Sequence, residues 1–185
     1  LSISADGPVH SVLVASRFPL PGQPCSPKGR TKGVSRVSIH RTEASATSVV
    51  LLDALVHRAW SDRLVLEPAP RVEGADGRLM IGDEALVEKA VPTWPHHLDL
   101  GWAWREHTGF PMVFALFCVR REVLSDSRRL PLAALHASLV AAAQAPQRAF
   151  AVVESQRRLA LPTPVLTAYF DALHYGLGPR EQEGA

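Results

Sequence analysis

The first two thirds of the chain alternate between short apolar runs and longer segments in which apolar residues recur at helical spacing. The short runs are rich in β-branched residues or alternate apolar with polar positions, as strands do. The predicted strands are residues 9–18, 34–40, 63–69, 77–81 and 110–122. Between two of them, Val49, Leu52, Leu55 and Val56 recur at helical spacing up to Trp60, which predicts a helix.

Two further helices follow strands in the same way. The first is predicted to begin near Glu84, after Gly82 and Asp83 interrupt the preceding apolar run. The second is predicted to end at Gly109, because glycine is the usual residue just past the last helical turn. Strands that alternate with helices predict an α/β fold with a largely parallel sheet.

The remaining segments predict a loop and a helical tail. Residues 19–33 hold several Pro and Gly residues and are predicted to be a loop. From Leu130 the chain is rich in Ala and Leu and has no strand pattern. Prolines at 146, 162 and 164 divide this tail into three predicted helices.

Composition excludes several classes of partner. The 20 Lys and Arg residues nearly balance the 18 Asp and Glu residues, so neither a nucleic-acid partner nor an anionic membrane is predicted. The longest apolar run, residues 110–119, is about half of the roughly 20 residues that a membrane-spanning helix needs. Cys25 and Cys118 lie in unlike contexts and predict neither a disulfide nor a zinc site, which favours a reducing, cytoplasmic location.

Common catalytic and cofactor motifs are absent from the sequence. It contains no GxSxG elbow, Walker loop, GxGxxG, HExxH or CxxC motif, and the adjacent His96 and His97 do not have the spacing of metal ligands. We therefore predict no metal site. Three polar loops remain, each next to a strand end, where open α/β sheets bind ligands.

The first two loops offer hydroxyl groups that have two interpretations each. Ser11 is either a hydroxyl paired with a neighbouring strand or a group that faces a ligand. Ser45, Thr47 and Ser48 stand at the start of a predicted helix. There they either cap the helix or help to bind a carboxylate or phosphate at its positive end.

The third loop, "MIGDEAL", contains Gly82 and Asp83. Gly82 permits a close approach of the backbone to another group. Asp83, taken alone, is predicted to cap the following helix.

Four stretches that occur in order along the chain together resemble the chorismate dehydratase family of the futalosine route to menaquinone. They are "SADGPVHSVLVASRFPL", "TEASATSVVLL", "LMIGDEAL" and "DLGWAWREHTGFPMVFALFCVRRE". The last is the most specific, since it combines Asp-Leu-Gly, a Trp, a Thr-Gly-x-Pro-x-Val-Phe-Ala run and a closing Arg. The segment "YFDALHYGLGPREQEG" is similar to the C-terminal segment of the family. The similarity covers nearly the whole chain and weakens in the Pro-rich loop and after Leu130.

The resemblance implies a fold like a type II periplasmic binding protein: two α/β lobes, two crossing strands between them and a ligand cleft at the hinge. Residues 1–14 and 108–185 would form the first lobe with a helical C-terminal tail, and residues 15–107 the second α/β lobe. Family members begin with a further segment that supplies most of the first lobe's sheet and an Asn-containing loop beside the substrate. We expect the first lobe of this chain to be incomplete.

The implied reaction is the loss of water from chorismate, giving 3-[(1-carboxyvinyl)oxy]benzoate. Aromatisation drives this elimination, so no cofactor or metal is implied, and the partner is a small dianionic substrate. Ser11 matches a family position that contacts substrate and assists catalysis. The residues that the resemblance assigns to substrate binding are Ser45, Thr47, Ser48, Gly82 and Asp83. Asp83 either orients the ring hydroxyl or only caps its helix.

One departure and three alternatives accompany this interpretation. His10 stands where the family usually has a small residue, and its side chain either narrows the cleft or turns away from it. The alternatives are a solute-binding protein for a small anion, the sister enzyme that releases dihydroxynaphthoate later in the route, and an inactive truncated fragment. The signature strand favours the enzyme over the binding protein, and the quoted loops are closer to the dehydratase than to the sister enzyme.

Overall fold

The computed structural model describes residues 1–22, 35–124, 132–142 and 145–185. Most of the predicted Pro-rich loop, including Cys25, lies outside these residues. Cys118 is described and exposed.

Two short strands at distant points of the sequence form the smaller of two sheets. Strand β1 (Ser2–Ala5) pairs antiparallel with strand β7 (Met112–Leu116). The sequence pattern predicts a strand at 110–122, and the observed strand is its first half. The chain thus passes twice between this small sheet and the rest of the protein, once after Ala5 and once before Met112.

Five strands form the larger sheet. They are β2 (Val12–Ser16), β3 (Ser35–His40), β4 (Leu64–Ala69), β5 (Gly77–Ile81) and β6 (His96–Asp99). Their order across the sheet is β4-β3-β5-β2-β6. Strand β3 is parallel to β4 and β5, whereas β2 is antiparallel to both β5 and β6. The sheet is therefore mixed: β3, β4, β5 and β6 run in one direction, as the predicted parallel sheet requires, and β2, inserted between β5 and β6, runs in the other.

Three helices connect or follow the strands of the larger sheet. They are α1 (Ala46–Ala59), α2 (Gly82–Ala90) and α3 (Leu100–Thr108). Helix α2 begins at Gly82, two residues earlier than predicted. Helix α3 ends at Gly109, which adopts the left-handed conformation (φ 80°) that the prediction requires.

The C-terminal part of the described chain is helical, as predicted. Its helices are α4 (Arg121–Leu124), α5 (Leu132–Ala142), α6 (Ala145–Leu159), α7 (Thr163–Ala172) and α8 (Pro179–Glu183). The predicted breaks at prolines 146, 162 and 164 coincide with the starts of α6 and α7. Buried side chains of α6 and α7 pack against Leu86 of α2. After α7, His174 forms two backbone hydrogen bonds with Ser4, which join the tail to the small sheet.

Strand β2 is buried along its whole length. Val12 and Val14 belong to the main core with the residues of α1 and α3, while Leu13 and Ala15 pack on the opposite face with Met80. Successive side chains of a strand point to opposite faces, so β2 is covered on both sides. This burial holds the residue at its beginning, Ser11, in a fixed place.

Candidate functional site

A cavity of about 190 Å³ opens where strand β2 begins, beside the N-termini of α1 and α2 and against α7. Residues of the sequence-predicted site that line it are Ser11, Ser45, Thr47, Ser48 and Gly82. The remaining lining residues are Ile3, Val9, Val12, Ile81, Phe114, Tyr169 and Leu173. The cavity therefore combines polar groups on one side with an apolar wall.

Asp99 holds the loop that carries Ser11. Its carboxylate accepts the backbone N–H of Val9 at 3.0 Å and that of His10 at 2.8 Å. The same carboxylate caps α3 by accepting two N–H groups of its first turn. On the other side, the carbonyl oxygen of Ser11 accepts the N–H of Gly82 at 2.8 Å. Two backbone hydrogen bonds to the Asp99 carboxylate and one to the N-terminus of α2 thus fix the entry into β2.

Tyr169, which lies on α7, lines the same cavity as Ser11. Ser11 is only 7% exposed. Burial raises the pKa of the Tyr169 phenol above its usual value, and the nearby Tyr175 and Asp83 act in the same direction. The phenol therefore stays protonated at neutral pH and is available as a donor.

The hydroxyl cluster at α1 serves first as a cap. The Ser45 hydroxyl accepts the N–H of Ser48 at 3.1 Å, and the two serine hydroxyl oxygens lie 2.9 Å apart. Ser48 is buried, whereas Thr47 is exposed at the cavity. The capping interpretation is confirmed for Ser45. Thr47 and the open first turn of α1 are the parts of this cluster that can reach a ligand.

Helix α2 begins at the cavity without a side-chain cap. Ile81 occupies the N-cap position and makes no side-chain hydrogen bond to the helix, so the prediction that Asp83 caps it is wrong. Gly82 adopts φ +60°, which allows the chain to turn from β5 into α2, and a Cβ there would meet open space. The N–H of Gly82 is bonded to the carbonyl oxygen of Ser11, and the N–H groups that follow it in the first turn of α2 have no side-chain cap.

The structure does not bring Asp83 into the cavity lining. Its carboxylate accepts a hydrogen bond from Arg158 of α6 at 3.0 Å, and its side chain is about half exposed. Asp83 stands in the first turn of α2, where a negative charge is favourable. Its observed contact connects α2 to the C-terminal helices, which form the wall opposite Ser11.

Two helix N-termini, those of α1 and α2, meet at this cavity. Each carries a partial positive charge of roughly half an elementary charge and unpaired backbone donors. Such ends bind carboxylates and phosphates. None of the described lining residues is Lys or Arg, and Asp83 and Glu84 in the first turn of α2 are acidic, so backbone N–H groups are the donors that the two helix ends can offer to an anion.

His10 turns away from the cavity. Its ring nitrogen Nδ1 contacts the Nζ of Lys89 on α2, and the residue adopts a left-handed backbone (φ 64°). Burial lowers the pKa of His10, and the positive charge of Lys89 lowers it further. Of the two outcomes left open by the sequence, the structure shows the second, so the bulk of His10 does not narrow the cavity.

Sequence reasoning missed the apolar wall and Tyr169. Tyr169, Leu166 and Leu173 recur at helical spacing in the tail, a signal that identifies a buried helix face but not its partner. Ser11, which lines the same cavity, lies far away in the sequence. The similarity of "YFDALHYGLGPREQEG" to the family's C-terminal segment pointed to this stretch without singling out the tyrosine.

Within the described ranges, no group of three His, Cys, Asp or Glu side chains is arranged to hold a metal ion. In the same part of the chain, no helix has the length and apolar character needed to cross a membrane.

The fold and the cavity define an α/β protein with a pocket at the N-termini of two helices. The particular family follows from comparison with known proteins. The sequence model described as menaquinone biosynthesis matches residues 1–185, and the chain belongs to that family.

One curated relative is the chorismate dehydratase of Thermus thermophilus. It is 34% identical to this chain over an alignment that covers 51% of the chain and 41% of the relative. The match thus spans less than half of the relative's length.

Proposed function

We propose that this protein binds chorismate and eliminates water from it to give 3-[(1-carboxyvinyl)oxy]benzoate. The observation that carries the proposal is the convergence of Ser11 with the N-termini of α1 and α2 on one cavity in a member of the menaquinone biosynthesis family. The 34% sequence identity to a chorismate dehydratase supports the choice of chorismate as substrate.

The charge of the substrate suits the cavity. Chorismate carries two carboxylates, and the cavity offers two helix N-termini that each favour an anion. In this proposal the first turn of α1, with Thr47, binds one carboxylate, and the N–H groups that follow Gly82 in the first turn of α2 bind the other. Phe114 and Leu173 supply apolar surface for the ring.

The chemistry requires a C–O and a C–H bond to break, with the hydroxyl leaving as water. We assign Ser11 the role of donating a hydrogen bond to the departing hydroxyl, which lowers the cost of the charge that develops there. Aromatisation of the ring drives the reaction forward. Because no electron is gained or lost overall, the proposed reaction needs no redox cofactor.

We further propose a two-lobe arrangement like that of a type II periplasmic binding protein. The two passages of the chain between the small and the large sheet support it. Residues 1–14 with 108–185 would form the first lobe, and residues 15–107 the second α/β lobe. The cavity then lies between parts of both, since α7 and β7 supply one wall and β2, α1 and α2 the other.

The test is turnover of chorismate by the purified protein, followed as the appearance of a product lighter by one water. We expect the wild type to produce it and Ser11→Ala to lose activity by roughly 100-fold, the usual cost of removing one donor from a developing charge. Ser16→Ala is the matched control. Ser16 is a buried serine of the same strand that donates to the carbonyl of Phe18 and lies outside the cavity lining.

Two results would contradict the dehydratase proposal. Binding of chorismate without turnover, measured by calorimetry, would favour the solute-binding alternative or an inactive fragment. Equal activity of Ser11→Ala and Ser16→Ala would remove Ser11 from the reaction.

A further inference from the structure

Helix α2 is attached at two points to the residues that lead into β2. Near its beginning, the N–H of Gly82 donates to the carbonyl oxygen of Ser11 at 2.8 Å. Near its end, the Nζ of Lys89 contacts Nδ1 of His10, the residue before Ser11. The two points are seven residues apart, which is roughly 10 Å along a helix axis. A second hydrogen bond at that distance from the first fixes the direction of the helix, which one bond alone does not.

The chemistry of Lys89 and His10 decides which of the two donates. An ammonium group has three N–H donors and no acceptor, so Lys89 donates and Nδ1 of His10 accepts. An imidazole nitrogen accepts only when it carries no proton, so the ring of His10 is neutral and its proton is on Nε2. A protonated His10 would place two positive charges side by side. The hydrogen bond therefore requires a neutral His10.

The charged groups around this pair favour the neutral ring. Asp99, at the start of α3, raises the pKa of both His10 and Lys89, but burial lowers both pKa values and Lys89 lowers that of His10 further. The pKa of His10 thus lies below its ordinary 6.5, so the hydrogen bond is present at neutral pH and is lost as the pH falls through that lower value. The acidic residues of α2 form other pairs, which are Asp83 with Arg158, Glu84 with Arg78 and Glu88 with His97.

We propose that His10 and Lys89 are positioning residues: their hydrogen bond fixes the direction of α2, whose first turn lies at the cavity, and protonation of His10 releases it. A small residue in place of His10 could not form this bond. The role of α2 towards a carboxylate rests on the proposed function. The bond that directs α2 does not.

The first experiment needs no substrate. NMR of the histidine ring nitrogens at neutral pH shows which nitrogen carries the proton, and the His10 signal is assigned by its loss in His10→Asn. Asparagine tolerates the left-handed backbone of this position (φ 64°). We expect a neutral His10 with its proton on Nε2. His40 is the opposite reference, because its Nδ1 lies 3.2 Å from the carbonyl oxygen of Ala69 and has to donate.

A His10 ring that is charged at neutral pH, or that has its proton on Nδ1, would overturn the proposal. So would a His10 signal that is identical in the wild type and in Lys89→Met.

Amide hydrogen exchange then measures whether the bond holds the helix. Lys89→Met keeps a long unbranched side chain without the charge. Both Lys89→Met and His10→Asn should exchange the N–H groups in the last turn of α2 faster than the wild type, and the double variant should exchange them no faster than either. Helix α1 is the internal reference. Exchange in α2 that is equal in the wild type and both variants would overturn the positioning role.

The third experiment measures the Kd of chorismate by calorimetry at several pH values. In the wild type, Kd should rise roughly tenfold as the pH falls through the pKa of His10, the size of one hydrogen bond. His10→Asn should bind with the weaker affinity throughout. Where turnover occurs, the change should appear in KM with little change in kcat, because α2 is assigned to binding.

His97→Gln is the matched control for the pH dependence. Its ring nitrogen Nε2 contacts the carboxylate of Glu88 on the same helix at 2.7 Å. This variant should keep the pH dependence of the wild type. Affinity that does not vary with pH in the wild type, or a dependence that persists in His10→Asn, would overturn the proposal.

These experiments separate the two proposals. If chorismate neither binds nor reacts, the proposed function fails, and the ring NMR and the hydrogen exchange decide whether His10 and Lys89 hold α2. If chorismate reacts but hydrogen exchange and the pH dependence are the same in His10→Asn as in the wild type, the function stands and the positioning role fails.

Discussion

Replacing Asp99 with Ala should destabilise the protein strongly, because this carboxylate accepts four backbone N–H groups from two segments. The bonds to Gly101 and Trp102 cap α3, and the bonds to Val9 and His10 hold the loop before β2. All four donors lose their partner at once in the variant.

The magnitude follows from these two groups of bonds. Loss of the cap costs about 1 kcal/mol. Each of the two hydrogen bonds from the loop to a charged acceptor is worth about 1.5 kcal/mol or more. The free energy of unfolding should therefore fall by about 4 kcal/mol, which for a chain of this length corresponds to a Tm lower by roughly 10 °C.

Urea titration followed by the fluorescence of the tryptophans measures this difference, with Asp99→Asn as the conservative comparison. The amide keeps one oxygen acceptor, so Asp99→Asn should lower the free energy of unfolding by about half as much as Asp99→Ala. A loss below about 1 kcal/mol for Asp99→Ala would refute the reasoning, since it would mean that water replaces the carboxylate at no cost.

A matched control separates stability from the site. Asp76 accepts the N–H and the hydroxyl of Ser38 at the far end of the sheet. Asp76→Ala should also destabilise the protein. At a temperature where both variants are folded, only Asp99→Ala should weaken chorismate binding, because only Asp99 positions the loop of Ser11.

Two further predictions concern other parts of the fold. Burial alone would raise the pKa of Glu88, but hydrogen bonds from Thr93 and His97, with others, lower it below its ordinary 4.5. The stabilisation is present above about pH 4.5 and is lost as the pH falls through the lower folded pKa, so Glu88→Gln should flatten the acid limb of a Tm against pH curve. Gly101→Ala places a Cβ 2.6 Å from the carbonyl oxygen of Gly7 and should lower the free energy of unfolding, measured by chemical denaturation, by about 1–3 kcal/mol. An unchanged denaturation midpoint would contradict this close packing.

Local signals in the sequence were enough to predict most helix ends. Gly109 terminates α3 because a left-handed residue is needed there, and prolines mark the starts of α6 and α7. Ser45 caps α1 through a hydrogen bond to a residue three positions away. These effects involve residues that lie close together in the sequence, so they can be predicted from the sequence alone.

The direction of β2 was not predictable in the same way. Its apolar residues predict a strand. They do not predict that the strand lies between β5 and β6 and antiparallel to both, because that depends on the point at which the chain enters the sheet. Asp83 illustrates the same limit at the site. Its partner Arg158 lies 75 positions along the sequence, and no local rule relates the two.

The sequence by itself determined the alternation of strands and helices, the hydroxyl-rich start of α1, and a family resemblance that the match over residues 1–185 confirms. Only the tertiary structure decided that Ser11 and Tyr169 line the same cavity, that His10 turns towards Lys89 and that two helix N-termini lie at that cavity. The physical reason is that caps and turns are set by neighbours in the chain. Which side chains meet across the cavity is set instead by burying β2 on both faces and docking α7 against α2.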